Sequence, residues 1–187
     1  WDDLTKQLLQ KVRIAFLPIV NPVGMFLLRR GNANRVDLMR NGPLDALDSA
    51  LPMLAGQRIS PFLPWYRGKE GGPMEVEAQV LCDFVREQVF PAKTSIALDC
   101  HSGFGTVDRL WFPYARTIKP FPELAEAYAL KTLLDQTYPN HVYLMEPVAQ
   151  GYTIGGDLWD FLYEEHREQF QGAKRFLPVT LEMEIGR

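Results

Sequence analysis

The stretch Ser95-Ile-Ala-Leu-Asp-Cys-His-Ser-Gly-Phe-Gly105 places the tightest constraint on the fold. It reads as a buried strand that runs straight into a turn of small residues. His101 stands at the join, with Asp99 two residues before it and Ser102 just after. A strand end followed by Gly-Phe-Gly sets one imidazole at the mouth of a sheet, where ligands bind in open α/β folds. Two roles are open to His101 on this ground alone: a core histidine satisfied by a backbone carbonyl, or a metal ligand.

The flanking segments alternate between strand and helix patterns. Leu4, Leu8, Leu9 and Val12 repeat at helical spacing over 2–12. Arg13-Ile-Ala-Phe-Leu-Pro-Ile-Val20 is a nearly continuous apolar run, suited to a strand covered on both faces, and Asn21-Pro-Val-Gly24 ends it with turn chemistry. A helix is expected from 73 to 89, with Ala78, Leu81, Val85 and Val89 on one face. Arg109-Leu-Trp-Phe-Pro-Tyr114 reads as extended, 121–138 as an amphipathic helix and His141-Val-Tyr-Leu-Met145 as a strand. Gly151-Tyr-Thr-Ile-Gly-Gly156 is a glycine-rich loop, and Asp157 caps a helix that runs to Phe170. Phe176 to Glu184 forms the last strand, with Glu182 and Glu184 on one face because side chains alternate. The class is therefore α/β, with a mostly parallel or mixed central sheet flanked by helices.

One region follows neither period. From Met25 to Leu51 the chain carries Arg29, Arg30, Arg35 and Arg40 among small and polar residues. Several guanidinium groups on irregular backbone suit fork-shaped recognition of a carboxylate or phosphate. The alternative is a solvated loop whose arginines pair with local aspartates.

Composition excludes several partner classes. A net charge of −3 with scattered Lys and Arg gives no basis for nucleic acid or an anionic membrane surface. No apolar run reaches the length of a membrane span, and the first residues are not a signal peptide. Cys82 and Cys100 lack metal-type spacing, so a reduced intracellular pair and a cytoplasmic location are the expectation, with a disulfide as the alternative. Oligomeric state is not legible.

In order along the chain, the landmarks resemble the zinc carboxypeptidase family, the M14 metallopeptidases related to carboxypeptidase A. Pro18-Ile-Val-Asn-Pro-Val-Gly24 is similar to that family's strand ending in Asn-Pro-Asp-Gly. Val36-Asp-Leu-Met-Arg-Asn41 is similar to its Val-Asp-Leu-Asn-Arg-Asn, and Glu75-Val-Glu77 to its helix start. Asp99-Cys-His-Ser102 resembles the strand with its third zinc ligand. Tyr152-Thr-Ile-Gly-Gly156 resembles the segment with its mobile tyrosine, and Val179-Thr-Leu-Glu182 the strand with its catalytic glutamate. Each match is weak alone; six in the right order form a specific set.

The resemblance implies a phosphorylase/hydrolase-like zinc peptidase fold and hydrolysis of an amide bond beside a free C-terminal carboxylate. It casts His101 as a Zn2+ ligand with its second ring nitrogen held by an acceptor. Glu182 becomes the general base on a zinc-activated water, with Glu184 as its competitor in register. Arg40 and Asn41 would bind the substrate carboxylate, and Arg30 the oxyanion, with Arg29 and Arg35 as rivals for that place. Tyr152 would close over the substrate and Ser102 would line its channel. The implied partner is a peptide or N-acyl amino acid with a free carboxylate.

Three departures qualify this picture. The family's first two zinc ligands come from His-x-x-Glu, and none of the three histidines, His101, His141 and His166, has Glu three residues later. The expectation is one catalytic-type domain over 1–187, incomplete at the N-terminus and also at the C-terminus. The alternative for the missing motif is a degenerate relative without the usual zinc site. Met39 stands where the family has Asn, and the chain ends soon after the glutamate strand. Two other functions stay open: an N-acyl amino acid deacylase of the succinylglutamate desuccinylase and aspartoacylase type, and a non-catalytic carboxylate-binding relative.

Overall fold

The computed structural model describes residues 3–48, 53–103 and 107–184, with the side chains of 102, 103 and 184 left aside. Two helices, α3 (Val76–Gln88) and α5 (Leu158–Phe170), pack on one side of a four-stranded sheet, and α4 (Leu124–Thr137) packs on the other. Two short helices precede them, α1 (Asp3–Leu9) and α2 (Pro22–Phe26). The strands are β1 (Thr94–Gly103), β2 (Arg109–Phe112), β3 (Leu144–Pro147) and β4 (Arg175–Glu184). Their order is β1-β4-β2-β3; β1 runs parallel to β4, β2 runs antiparallel to β4, and β3 runs parallel to β2. The mixed α/β class matches the strand and helix patterns of the sequence.

Alternation along β4 divides the core in two. Phe176 joins Ala78, Leu81, Cys82 and Val85 of α3 with Leu158 and Leu162 of α5. Leu177 and Val179 face the opposite way, onto Leu110, Phe112, Ala127 and Tyr163. Arg86 of α3 and Glu165 of α5 form a bidentate pair (2.7 and 2.8 Å) that fixes the two helices laterally. Asp157 caps α5 as its sequence indicates, its carboxylate accepting from Asp160 N–H at 2.8 Å.

Three expectations need correction. The run from Arg13 to Val20 is no strand: it joins no ladder, and Ile14 and Phe16 are exposed. Apolar content makes a segment suitable for burial, but a strand needs a hydrogen-bonding neighbour, and none of the described strands pairs with it. β1 is not a buried strand; at the edge of the described sheet, its Ile96 and Leu98 are 56% and 58% exposed. β3 begins at Leu144 rather than His141. His141 N–H bonds back to the Tyr138 carbonyl and its ring meets Asp135, so His141 closes the end of α4 instead.

Candidate active site

The site begins from one row across three strands. His101 on β1 is the ladder partner of Glu182 on β4, and Glu182 is the ladder partner of Arg109 on β2. Ladder partners share a face, so an imidazole, a carboxylate and a guanidinium project together. The row beneath holds Asp99, Thr180 and Trp111. Glu182 lies opposite His101, whereas Glu184 lies opposite Gly103 and its side chain is outside the described part. Ser102 on β1 pairs with Met183 on β4, and its side chain is likewise outside.

Asp99 and His101 are two residues apart on one strand and so face the same way. Nε2 of His101 lies 2.8 Å from Oδ2 of Asp99. Trp159 Nε1–H donates to that same oxygen, also at 2.8 Å. Burial pushes the Asp99 carboxyl up, but His101 and the indole outweigh it, and the net shift is downward. Burial likewise lowers His101, while the Asp99 hydrogen bond and charge raise it, for a net upward shift. The two directions agree, since each partner favours the charged form of the other.

The arginine loop is held by its own asparagines. Asn32 Oδ1 accepts from Asn34 and Val36 N–H, and its amide donates to Glu75 and Glu77 at the start of α3. This closure delivers Asp37 and Arg40 inward on the single turn Leu38–Arg40. Oδ2 of Asp37 then receives both Arg30 Nε (2.7 Å) and Arg40 Nη1 (2.9 Å). The two guanidiniums differ in access: the Arg30 side chain is 47% exposed and that of Arg40 only 6%. Arg40 lies over the Trp65 ring at 5.8 Å, and its buried Nε–H has no partner among the described residues. The charges of Arg30 and Asp37 reach His101, which joins the loop to the strand row.

The rival arginines point elsewhere. Arg29 donates to the carbonyls of Gly31, Asn32 and Ala33. Arg35 stacks on Phe62 at 4.8 Å. Asn41 is spent on the fold, its amide donating to the Arg67 carbonyl (2.9 Å) and its oxygen accepting from Glu75 N–H (2.6 Å). Met39 packs against the core between α3 and α5, which explains an apolar residue at that position.

The glycine-rich loop forms the wall behind Arg40. Gly156 accepts from Gly42 N–H (2.7 Å) and donates to Leu44 (2.6 Å), while Gly155 donates to Ala55 (2.9 Å). Arg67 runs underneath and donates from Nε to the Arg40 carbonyl at 3.0 Å. A Cβ on Gly156 would meet Arg67 Nε at 2.7 Å, and φ is +80° there, so only glycine fits. Tyr152 is half-buried at the start of this loop. Asp160, beyond it, accepts from Ala115 and Arg116 N–H and is buried; burial, with Asp157 adding repulsion, raises its carboxyl.

Several of these residues escape sequence reasoning. Asp99 is signalled by its two-residue spacing from His101. Asp37 meets Arg30 and Arg40 within its own loop, a local pairing of the kind the sequence left open; Arg67, Arg109 and Trp159 meet the site only through contacts distant in sequence, for which the chain carries no local signal. His141 and His166 stay apart from it: the first pairs with Asp135 and stacks on Tyr143, and the second sits among Phe90, Phe170 and Phe176.

As a metal centre the arrangement offers one corner. His101 Nδ1 makes no hydrogen bond among the described residues, so it suits a ligand. Yet among those residues no three His, Cys, Asp or Glu side chains gather to hold a metal. The tetrahedral set does not arise from them alone. No helix among them is long and apolar enough to cross a membrane.

Comparison with known proteins follows the same line. Residues 2–185 match the family described as zinc carboxypeptidase. No curated protein sequence matches. Among solved structures, the chain is similar to thrombin activatable fibrinolysis inhibitor, with a TM-score of 0.69 and 19% identity over 97% of this chain and 45% of that one. It is also similar to carboxypeptidase A from Helicoverpa armigera, with a TM-score of 0.63 and 20% identity over 91% of this chain and 42% of that one. The chain thus spans less than half the length of these two structures.

Proposed function

The chain belongs to the zinc carboxypeptidase family, and from that premise we propose that the whole protein hydrolyses an amide bond beside a free C-terminal carboxylate. The observation that carries this reading is the pairing of His101 with Glu182 across β1 and β4, with Arg30, Asp37 and Arg40 alongside.

Each residue has a physical part. Arg40 binds the substrate carboxylate; its unpartnered, buried Nε–H is a donor awaiting an acceptor. Asn41 holds the turn on which Arg40 sits, through its bonds to the Arg67 carbonyl and Glu75 N–H. Arg30 is half exposed and tethered by one nitrogen, so its remaining N–H groups are open to a developing oxyanion. Asp37 keeps both guanidiniums at fixed spacing, which orients the substrate before reaction. Glu182 takes a proton from the attacking water and passes it to the leaving amine. Tyr152 closes over the bound substrate. His101 would hold one corner of a zinc site; zinc bound there would supply a water of pKa about 7 and Lewis-acid polarisation of the carbonyl.

The test uses the zinc-loaded whole protein with three substrates: a peptide with a free C-terminus, the same peptide amidated, and N-acyl amino acids. Cleavage of the free peptide alone is expected, and cleavage of N-acyl amino acids alone would reject the peptidase reading. Glu182→Gln is expected to keep zinc and lose turnover by roughly 10²–10⁴-fold. Normal turnover in that variant would remove Glu182 from the mechanism.

A further inference from the structure

We infer that Asp99, held by the indole of Trp159, is a positioning residue that fixes the His101 ring with its proton on Nε2 and its lone pair on Nδ1. The inference rests on His101 being a ligand in the reading above only for its consequence, not for its geometry.

Oδ2 of Asp99 is the meeting point of two rings. Trp159 Nε1–H can only donate, so this oxygen acts as an acceptor toward it. With one lone pair taken at 2.8 Å by the indole, the other faces His101 Nε2, also at 2.8 Å. In the neutral ring the imidazole therefore donates from Nε2, and Nδ1 is left as the acceptor nitrogen. The anchor is firm at its far end. Trp159 is buried in the core between α3 and α5 and packs against Phe176 at 6.5 Å between ring centres. A tether from core indole to carboxylate to imidazole runs from the rigid layer of the fold to the edge strand. It compensates for the exposed position of β1, where a ring on its own would turn about its side-chain bonds.

The consequence is a preset ligand nitrogen. A histidine whose second nitrogen is bound by a carboxylate offers a fixed tautomer and a more basic ligand to a metal. Asp99 acts through His101, whose Nε2 it holds.

The ring can be read directly, without metal, in the chain as it stands. Long-range 1H–15N NMR of the neutral imidazole is expected to place the proton on Nε2, slowly exchanging and strongly shifted downfield. Asp99→Ala is expected to abolish that protected proton. Asp99→Asn retains an acceptor oxygen but not its charge, so the proton should stay on Nε2 and its resonance should move upfield. An Nδ1–H tautomer in the parent chain would overturn the inference, as would an unchanged Nε2–H signal in Asp99→Asn. The second variant decides even if Asp99→Ala fails to fold. In the zinc-loaded whole protein, Asp99→Ala should weaken zinc affinity by roughly 10–100-fold, with a smaller loss for Asp99→Asn. Absence of zinc binding in the parent protein would reject the ligand reading while leaving the NMR result to judge the tether.

Discussion

Gly156→Ala and Gly172→Ala form a matched pair that isolates the wall behind Arg40. Both glycines have nearly the same positive φ, +80° and +84°. An alanine in either place carries a left-handed penalty of roughly 1–2 kcal/mol. They differ in surroundings. Nothing lies within 4 Å of a Cβ at Gly172, whereas at Gly156 it would run into the Arg40 carbonyl, with Arg40 C at 2.6 Å and Arg67 Nε at 2.7 Å. Those separations fall well inside the normal contact range of about 3.5–4.0 Å. The backbone must give way, and the bonds at risk are Gly42–Gly156, Gly156–Leu44 and Arg67–Arg40. Losing two of them adds roughly 1–3 kcal/mol at about 0.5–1.5 each. The expected totals are roughly 2–5 kcal/mol for Gly156→Ala and roughly 1–2 for Gly172→Ala. For a domain of this size the difference corresponds to about 2–12 °C in Tm. Thermal and urea unfolding of the two variants beside the parent chain, followed by circular dichroism, measures it. Equal destabilisation within about 0.5 kcal/mol would show that Arg40 is not backed by this turn and would refute the packing argument.

Further outcomes follow from the buried charges and thiols. Asp37→Asn should cost roughly 3–5 kcal/mol in urea unfolding, because it leaves the buried Arg40 guanidinium without its counter-charge; Arg30→Met, at a half-exposed side chain, should cost about 1 kcal/mol or less. Burial raises the carboxyls of both Asp157 and Asp160 in the folded chain. Their contribution is therefore full below the ordinary carboxylate value of about 4 and is lost as pH rises through the elevated folded values. Asp160→Asn should thus gain stability relative to the parent between acid and alkaline pH in Tm scans, and a gap that does not move with pH would contradict this. Cys100 is exposed and Cys82 is buried, its thiol pushed up to about 11. A thiol reagent should label Cys100 in the folded chain and Cys82 only on unfolding; prompt labelling of both would contradict the α3 packing.

The sequence by itself determined which elements exist and what chemistry they carry. Period and capping are local properties, so α3, α4, α5, β2 and β4 were legible, down to Asp157 as the cap of α5. Residue types in order along the chain carried the family resemblance, and strand alternation put Glu182 on one face. Tertiary structure decided everything that depends on a neighbour distant in sequence. Whether an apolar run becomes a strand depends on a partner edge, so Arg13–Val20 stays outside the described sheet while β1 lies exposed at its margin. Which arginine is free depends on who else claims it: Arg29 goes to carbonyls, Arg35 to Phe62, and Arg30 and Arg40 share Asp37. The register that sets His101 beside Glu182, and the reach of Trp159 from α5 to Asp99, are likewise products of packing. A single strand specifies which way its side chains point; only the assembled sheet and the helix against it specify what they meet.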